Sequence, residues 1–377
     1  MFKPVLSNLL NKPIYYTIQK RLLTMTTNSN FKLMDIGLNL IDAQFEGHYH
    51  GKNQHPNDIK CVINRMLEND VEKCMLTTSC IKEYYHNLEL CEKYENIVPN
   101  IGFTVGVHPC SSMDMIIEKK DVDNNGEEKS CELNLNKFEE LKNIWKNLLE
   151  NDSKHFMAFG EFGLDYDRLF HATKEVQLKV FEKQLEIVSS LTLNLNKKPP
   201  VFFLHMRSCG EELLDLLDKY PFHKDQVFII HSFTDSLEIM NKIVSKDNFY
   251  VSFNNCSLRT EEGLENLKQC PLNKMFLETD APWCGIRKTH PSYPLLSKAL
   301  EENKDELNYR QLDYEILKKK KISAWFETNG LDKNNYLIQD RHEPCELWKV
   351  YLLASVIKKC SYKEIVDSIW ENCEKVF

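Results

Sequence analysis

The stretch "MFLETDAPWCG" (275–285) begins like a buried strand and then carries two carboxylates. Residues 275–277 are apolar, and Glu278 and Asp280 follow at alternate positions. In an extended chain, alternate side chains point to the same side, so the two carboxylates would be neighbours. Like charges this close repel each other unless a cation, a proton or hydrogen-bond donors stabilise them. We therefore predict a strand here, with a cation, a proton or hydrogen-bond donors near its downstream end that stabilise the two carboxylates.

Seven further apolar, β-rich runs recur along the chain, separated by stretches of helical pattern. The eight runs cover residues 32–40, 73–79, 101–109, 156–165, 200–207, 227–233, 248–255 and 275–280. Between them, segments 56–70 and 174–191 repeat apolar residues at helical spacing. Nearly continuous apolar strands that alternate with helices are typical of a parallel sheet covered by helices. Eight such units predict an α/β fold, a (β/α)₈ TIM barrel.

The length and composition indicate an ordinary globular chain that could hold one large domain with extensions or two ordinary ones. Its 377 residues are 42% hydrophobic and carry a net charge of -8, which argues against a surface that coats DNA generally. The 13 cysteines are scattered without Cys-x-x-Cys spacing, as expected of buried thiols in a reducing compartment. No apolar run is long enough to span a membrane. We expect no membrane association.

The domain is predicted to cover residues 32–377, after a flexible or targeting leader at 1–31. Residues 1–34 contain basic but no acidic side chains, which fits an organelle transit peptide; a poorly ordered tail is the alternative. We expect a cytoplasmic or nuclear location, with a mitochondrial one as the alternative. Two segments do not fit the barrel pattern and are predicted to be insertions, at about 113–136 and 286–339.

Polar side chains stand at the downstream ends of five of the predicted strands. They are His108, Glu161, His205 with Arg207, His231, and Glu278 with Asp280. In a barrel these ends meet at one rim, where enzymes of this architecture build their sites. Each residue alone has a structural explanation, as a hydrogen-bonded core histidine or a helix cap. Imidazoles and carboxylates together are the ligand set of Zn²⁺, Mn²⁺ or Mg²⁺, so their joint placement favours a metal site.

Seven motifs in this order resemble the TatD-related deoxyribonucleases, metal-dependent hydrolases with a TIM barrel. They are "DIGLNL" (35–40), "GVHP" (106–109), "GEFGLDYDR" (160–168), "FLHMR" (203–207), "IIHSF" (229–233), "ETDAPWCG" (278–285) and "DRHEP" (340–344). The last and "ETDAPWCG" are most similar to the eukaryotic TatD-domain subgroup. The resemblance covers the chain from about Asp35 to the C-terminus.

The resemblance implies a role for each matching residue. Metal ligands would be Glu161, His205, His231 and Asp280; catalytic residues would be Asp280, His108 and Glu161. Substrate phosphate would be held by Arg207 and His108, and residues supporting the ligands from behind would be Asp35, Asp165, Glu278, Arg341 and Glu343.

One departure from the family pattern concerns the first strand. Many members carry two histidines where this chain has Gly37 and Asn39. Glycine offers no ligand, and an amide carbonyl is a weak donor better suited to Mg²⁺ than to Zn²⁺. The resemblance therefore implies an incomplete first metal position, with Asn39 as a weak ligand or substrate contact. We expect up to two divalent ions, Mg²⁺ first, with Mn²⁺ or Zn²⁺ as alternatives.

The expected activity is metal-dependent hydrolysis of DNA phosphodiester bonds, as a 3′-5′ exonuclease on single-stranded or frayed DNA. The alternatives are a metal-dependent hydrolase of a small substrate and a nucleic-acid-binding barrel without catalysis. We expect DNA as the partner, a monomer, and no protein partner. In the second insertion, the four lysines at 318–321 beside Trp325 and Phe326 suggest a platform for phosphate and a stacked base, against the alternative of a solvated helix face.

Overall fold

The computed structural model describes residues 31–49, 51–123, 126–302, 314–331 and 335–377. The leader predicted at 1–31 lies outside these residues apart from Phe31, whose ring packs edge-on against Tyr362. Among the described helices, none combines the length and the apolar character needed to cross a membrane.

Eight parallel strands form the barrel in chain order. They are β1 Leu33–Leu38, β2 Val71–Leu76, β3 Asn100–Val105, β4 Phe156–Asp165, β5 Val201–Arg207, β6 Phe228–His231, β7 Phe249–Phe253 and β8 Met275–Leu277. Each strand pairs in parallel with the next. A parallel bridge between Leu38 and Ala281 brings the segment after β8 back to β1. The barrel predicted from the eight apolar runs is confirmed.

The described helices cover the outside of the barrel, except Ile322–Asn329, which packs on a smaller core. They are Ile59–Glu68, Ile81–Tyr94, Leu135–Glu150, Lys174–Thr192, Gly210–Leu217, Leu237–Val244, Glu261–Gln269, Ser292–Glu302, Ile322–Asn329, Leu347–Lys358 and Tyr362–Val376. Two of them match the helices predicted at 56–70 and 174–191. The apolar faces of the barrel helices are buried against the strands. The strands are apolar along their length because both of their faces lie in the core.

Aromatic side chains fill much of this core around β4 and β5. The ring of Phe202 packs edge-on against Phe159 and Phe162, with ring centres 5.8 Å and 5.5 Å apart. All seven residues of β5 are buried. Large buried aromatic rings hold the strands that carry the polar rim residues in fixed positions.

The two segments predicted as insertions have secondary structure of their own. The first contains an antiparallel hairpin, Ile116–Asp123 with Gly126–Leu133. In the second, the strands Glu315–Leu317 and Tyr336–Ile338 pair in parallel. A small separate core lies beneath this second segment; it consists of Tyr49, Leu317, Ile322, Phe326, Tyr336 and Ile338.

Candidate metal and active site

Glu161 is the centre of a buried cluster with three histidines at the downstream ends of the barrel strands. Its Oε1 lies 2.7 Å from Nδ1 of His205 and 2.7 Å from Nε2 of His231. Nε2 of His108 lies 3.3 Å from the same oxygen. The barrel therefore brings together four residues that are far apart in the chain.

The donor set fits a divalent cation. One ligand atom each from His108, Glu161 and His205 lie within 4.8 Å of one another, and all three residues are buried. Burial lowers the pKa of His231, but the Glu161 and Glu278 carboxylates outweigh it and hold that pKa well above its ordinary value. A divalent cation at His231 would therefore compete with a proton for the imidazole nitrogen.

Backbone and carboxylate contacts fix the orientation of the histidine rings. Nε2 of His205 lies 3.0 Å from Oδ2 of Asp165, so Nδ1 faces Glu161. The backbone N–H of Cys110 donates to Nδ1 of His108 at 3.0 Å, which leaves Nε2 for the cluster. A carboxylate behind a histidine is the usual support for a metal ligand. These contacts agree with the supporting position expected of Asp165.

Glu278 faces the side of the His231 ring opposite to Glu161. Its Oε1 accepts hydrogen bonds from the backbone N–H of Ser232 at 2.8 Å and from Nδ2 of Asn254 at 3.1 Å, and it lies 3.4 Å from Nδ1 of His231. The strand predicted to run to residue 280 ends at Leu277. Asp280 has a positive φ of 54°, so the two carboxylates turn to different partners. The prediction of an extended strand through residue 280 is wrong, because the strand ends at Leu277 and the backbone turns at Asp280.

Gly37 makes room for the other oxygen of Glu278. A Cβ atom built on Gly37 would lie 2.9 Å from Oε2 of Glu278. That oxygen is buried and has no hydrogen-bond partner in the described part of the chain. The position that holds a histidine in many family members is thus occupied here by the carboxylate of Glu278.

Asp35 is buried beneath the rim and holds the segment after β8. It accepts hydrogen bonds from the backbone N–H of Thr279 at 3.0 Å and from the Thr279 hydroxyl at 2.5 Å. Burial raises the pKa of Asp35 to about 7, although these hydrogen bonds oppose the rise. Asp35 therefore supports the turn that carries Asp280.

Asn39 contacts Asp280 directly. Its Nδ2 donates to Oδ1 of Asp280 at 2.9 Å, and its Oδ1 accepts from the hydroxyl of Thr77. Burial raises the pKa of Asp280 to about 6, against the lowering effect of the His231 charge. Since both polar atoms of the Asn39 amide are engaged, this arrangement favours a role in orienting Asp280 over the weak metal ligand expected from sequence.

Two arginines provide positive charge at the site. Arg207 ends β5 and is buried, and its Nε has no hydrogen-bond partner among the described residues. Arg168, which had no predicted role, lies with its Nε 3.6 Å from Oδ2 of Asp165, and its side chain is 45% exposed. The sequence signal for Arg168 is its position at the end of "GEFGLDYDR", just after the strand that carries Glu161.

Arg341 and Glu343 belong to a buried network of four charges. Nη1 and Nη2 of Arg341 lie 2.8 Å and 2.7 Å from the two carboxylate oxygens of Asp58. Glu343 Oε1 accepts from Arg341 at 2.6 Å, and Glu343 also receives two hydrogen bonds from Arg65. The predicted Arg341–Glu343 pair thus exists, but its contacts are to Asp58 and Arg65 and not to the metal-ligand candidates.

The lysine-rich segment does not offer the predicted aromatic platform. Phe326 is buried, and its ring stacks on His55 with ring centres 4.8 Å apart. Trp325 packs against Tyr336. Lys318 and the three lysines after it are exposed, as in the alternative of a solvated face. Phe326 cannot stack a base because it belongs to the small core.

Imidazoles and a carboxylate that converge at the strand ends of an eight-stranded parallel barrel define a metal-dependent hydrolase. The chain belongs to the TatD related DNase family, whose model matches residues 45–377. The expectation drawn from the seven motifs is confirmed.

Two fungal proteins and one crystal structure match this chain over most of their own length. A protein named Deoxyribonuclease Tat-D from Saccharomyces cerevisiae is 30% identical over 422 residues, which cover 100% of this chain and 96% of the relative. The protein of the same name from Schizosaccharomyces pombe is 34% identical, over 91% of this chain and 95% of the relative. The crystal structure of an uncharacterized amidohydrolase from Saccharomyces cerevisiae superposes with a TM-score of 0.79 and 30% identity, over 92% of this chain and 100% of that one.

Proposed function

We propose that this protein hydrolyses phosphodiester bonds of DNA and removes nucleotides from the 3′ end of single-stranded or frayed strands. The observation that carries the proposal is the convergence of His108, His205 and His231 on Oε1 of Glu161. The names of the two fungal relatives support DNA as the substrate.

In this proposal, Glu161, His205, His231 and Asp280 hold the metal. A bound divalent cation would supply Lewis acidity at a phosphate oxygen and make a nearby water more acidic. The ions are Mg²⁺, with one or none tightly bound before substrate and two in its presence. This count is supported by the residues at the first position, because Gly37 has no side-chain ligand and the amide of Asn39 already contacts Asp280 and Thr77.

The protein's own residues would carry the remaining steps. Asp280, fixed by Asn39, orients the attacking water and accepts its proton. Arg207 and Arg168 donate hydrogen bonds to non-bridging phosphate oxygens, and charge-assisted bonds of this kind are strong. His108 faces the cluster through Nε2 and stabilises the charge that develops on the phosphate.

The central test follows the release of label from a single-stranded oligonucleotide labelled at its 3′ end. We expect release with Mg²⁺, none with EDTA, and a loss of at least about a thousandfold in Glu161→Gln and Asp280→Asn. Asp218→Asn, which changes an exposed carboxylate, should retain activity. The label should appear first as mononucleotide. If labelled fragments of several nucleotides appeared first, the protein would cut within the strand, which would contradict an exonuclease.

The same purified protein distinguishes this function from the two alternative functions. Binding of the oligonucleotide without metal-dependent cleavage would favour a non-catalytic barrel. Metal-dependent hydrolysis of a small amide, lactone or phosphotriester, without cleavage of the oligonucleotide, would favour the small-substrate enzyme. Calorimetric titration of the free protein should show at most one tight Mg²⁺ site, and two tight sites would contradict the proposed metal count.

A further inference from the structure

Two large aromatic side chains are exposed on loops at the catalytic rim. Phe170, in the loop after β4, is 80% exposed, and Trp283, after β8, is 54% exposed. Single exposed apolar residues are common on protein surfaces and need no explanation. These two differ because each is attached to a turn that also carries a charged residue of the proposed active site.

Trp283 is fixed to the turn of Asp280. Its backbone N–H donates to the carbonyl oxygen of Asp280 at 2.9 Å, and its own carbonyl accepts from Nδ1 of His342 at 3.1 Å. A hydrogen bond between residues three apart keeps their Cα atoms within about 7 Å. The backbone of Trp283 is therefore held close to Asp280 while its indole faces solvent.

Phe170 is fixed in a similar way to the turn of Arg168. The backbone N–H of His171 donates to the carbonyl oxygen of Arg168 at 3.1 Å, and the N–H of Arg168 donates to Oδ1 of Asp165 at 3.1 Å. The other oxygen of Asp165 contacts His205. The ring of Phe170 packs on that of His171, with ring centres 4.3 Å apart.

The topology of the barrel places these two turns on opposite sides of the cluster. In the strand order β1 to β8, three strands lie between β4 and β8 in either direction around the barrel. The loops that follow β4 and β8 therefore face each other across the rim. A chain that passes over Glu161 has one exposed ring on each side of it and the guanidinium of Arg168 beside its path.

We propose that Trp283 and Phe170 each stack an unpaired base, one on either side of the phosphate that is cleaved. This inference rests on the proposed nuclease function and specifies its substrate as a strand with unstacked bases. Aromatic rings bind bases without sequence preference because every base has a flat π-face. In a duplex these faces are covered by neighbouring bases, so neither ring would find a partner.

The test compares an intact single-stranded oligonucleotide with one that lacks the two terminal bases but keeps every phosphate. We expect the wild-type KM to rise about tenfold on the abasic strand. Trp283→Ala and Phe170→Ala should each raise KM about tenfold on intact DNA and should respond less to base removal. Trp283→Phe keeps a flat aromatic ring, so its KM on intact DNA should be close to that of wild type. Leu193→Ala, which removes an exposed apolar side chain just after the Lys174–Thr192 helix, should change nothing.

A second readout keeps this inference separate from the nuclease proposal. A 2-aminopurine base near the 3′ end fluoresces less when it stacks, so binding to wild-type protein in EDTA should reduce its emission, and Trp283→Ala should reduce it less. Equal KM values on intact and abasic strands, or equal quenching by wild type and Trp283→Ala, would overturn the inference. Quenching without cleavage would leave base stacking in place and reject only the nuclease.

Discussion

Asn39 and Asp280 are joined by a hydrogen bond of 2.9 Å between Nδ2 and Oδ1, although 241 positions separate them in the chain. The bond connects the end of the first barrel strand to the turn after the last. Thr77 fixes the amide of Asn39 from its other side. The side chain in the position where many family members have a histidine thus orients Asp280, the carboxylate proposed to accept the proton of the attacking water.

Substitution of Asn39 should therefore lower turnover and leave substrate binding nearly unchanged. We expect Asn39→Ala to reduce kcat by about 10- to 100-fold, as is typical when the partner of a metal ligand is lost. Asn39→Asp separates the two possible roles. If Asn39 orients Asp280, the new carboxylate repels it and activity falls; tighter Mg²⁺ binding in Asn39→Asp would instead identify Asn39 as a ligand. Asn151→Ala, at an exposed asparagine, serves as the control.

Asp35 should make the metal-free protein less stable as the pH rises toward neutrality. Its pKa is about 7 in the folded protein because it is buried, against 3.8 as the ordinary value. Between these two values the folded protein binds more protons than the unfolded chain, so the free energy of unfolding decreases with increasing pH. From about pH 5 to about pH 7, this contribution amounts to roughly 2 kcal/mol.

Urea unfolding of wild type and Asp35→Asn in EDTA measures this contribution. Asparagine has a similar shape and does not titrate, so Asp35→Asn should lack this part of the pH dependence. The difference between the two proteins isolates Asp35 from other titrating groups. Parallel stability curves for wild type and Asp35→Asn over this pH range would contradict the prediction.

Gly37→Ala should destabilise the protein. The added methyl group would lie 2.9 Å from Oε2 of Glu278, whose other oxygen is held by Ser232 and Asn254. Overpacking at a buried position costs about 1–3 kcal/mol, and we expect that loss here, with weaker metal binding through His231. The matched control is Gly285→Ala, because the nearest atom to its added Cβ is 3.8 Å away. Equal stability of the two variants would show that Glu278 moves aside freely.

Arg65→Met should be among the more damaging single substitutions in the chain. The side chains of Arg65 and Glu343 are fully buried, and Nε of Arg65 lies 2.8 Å from Oε2 of Glu343. Removing one member of a buried ion pair leaves the other charge without full compensation and costs about 3–5 kcal/mol. The exposed pair of Lys246 and Asp218 provides the comparison, and Lys246→Met should cost less than about 1 kcal/mol. Similar urea midpoints for both variants would contradict this difference.

Much of the architecture was evident from local patterns. All eight strands lie within or close to the apolar runs, because a strand buried on both faces must be apolar along its length. Residue type and position at a strand end were also enough to identify four candidate site residues that the structure brings together. They are His108, Glu161, His205 and His231. Parallel strands in a barrel all end at one rim. A residue's position in its strand was therefore enough to predict that these four side chains lie close together.

The partner of each side chain depended on contacts between distant parts of the chain. Asp280 and Glu278, two positions apart, have different hydrogen-bond partners, and the pairing of Arg65 with Glu343 joins residues 278 positions apart. The burial of Phe326 and the exposure of Trp283 were equally invisible in the sequence, where both are aromatic residues near charges. Sequence by itself determined the strands, the helices and the chemical types at the rim, because these follow from local periodicity. Only the tertiary structure decided which groups face one another, because hydrogen bonds and burial depend on distances in space.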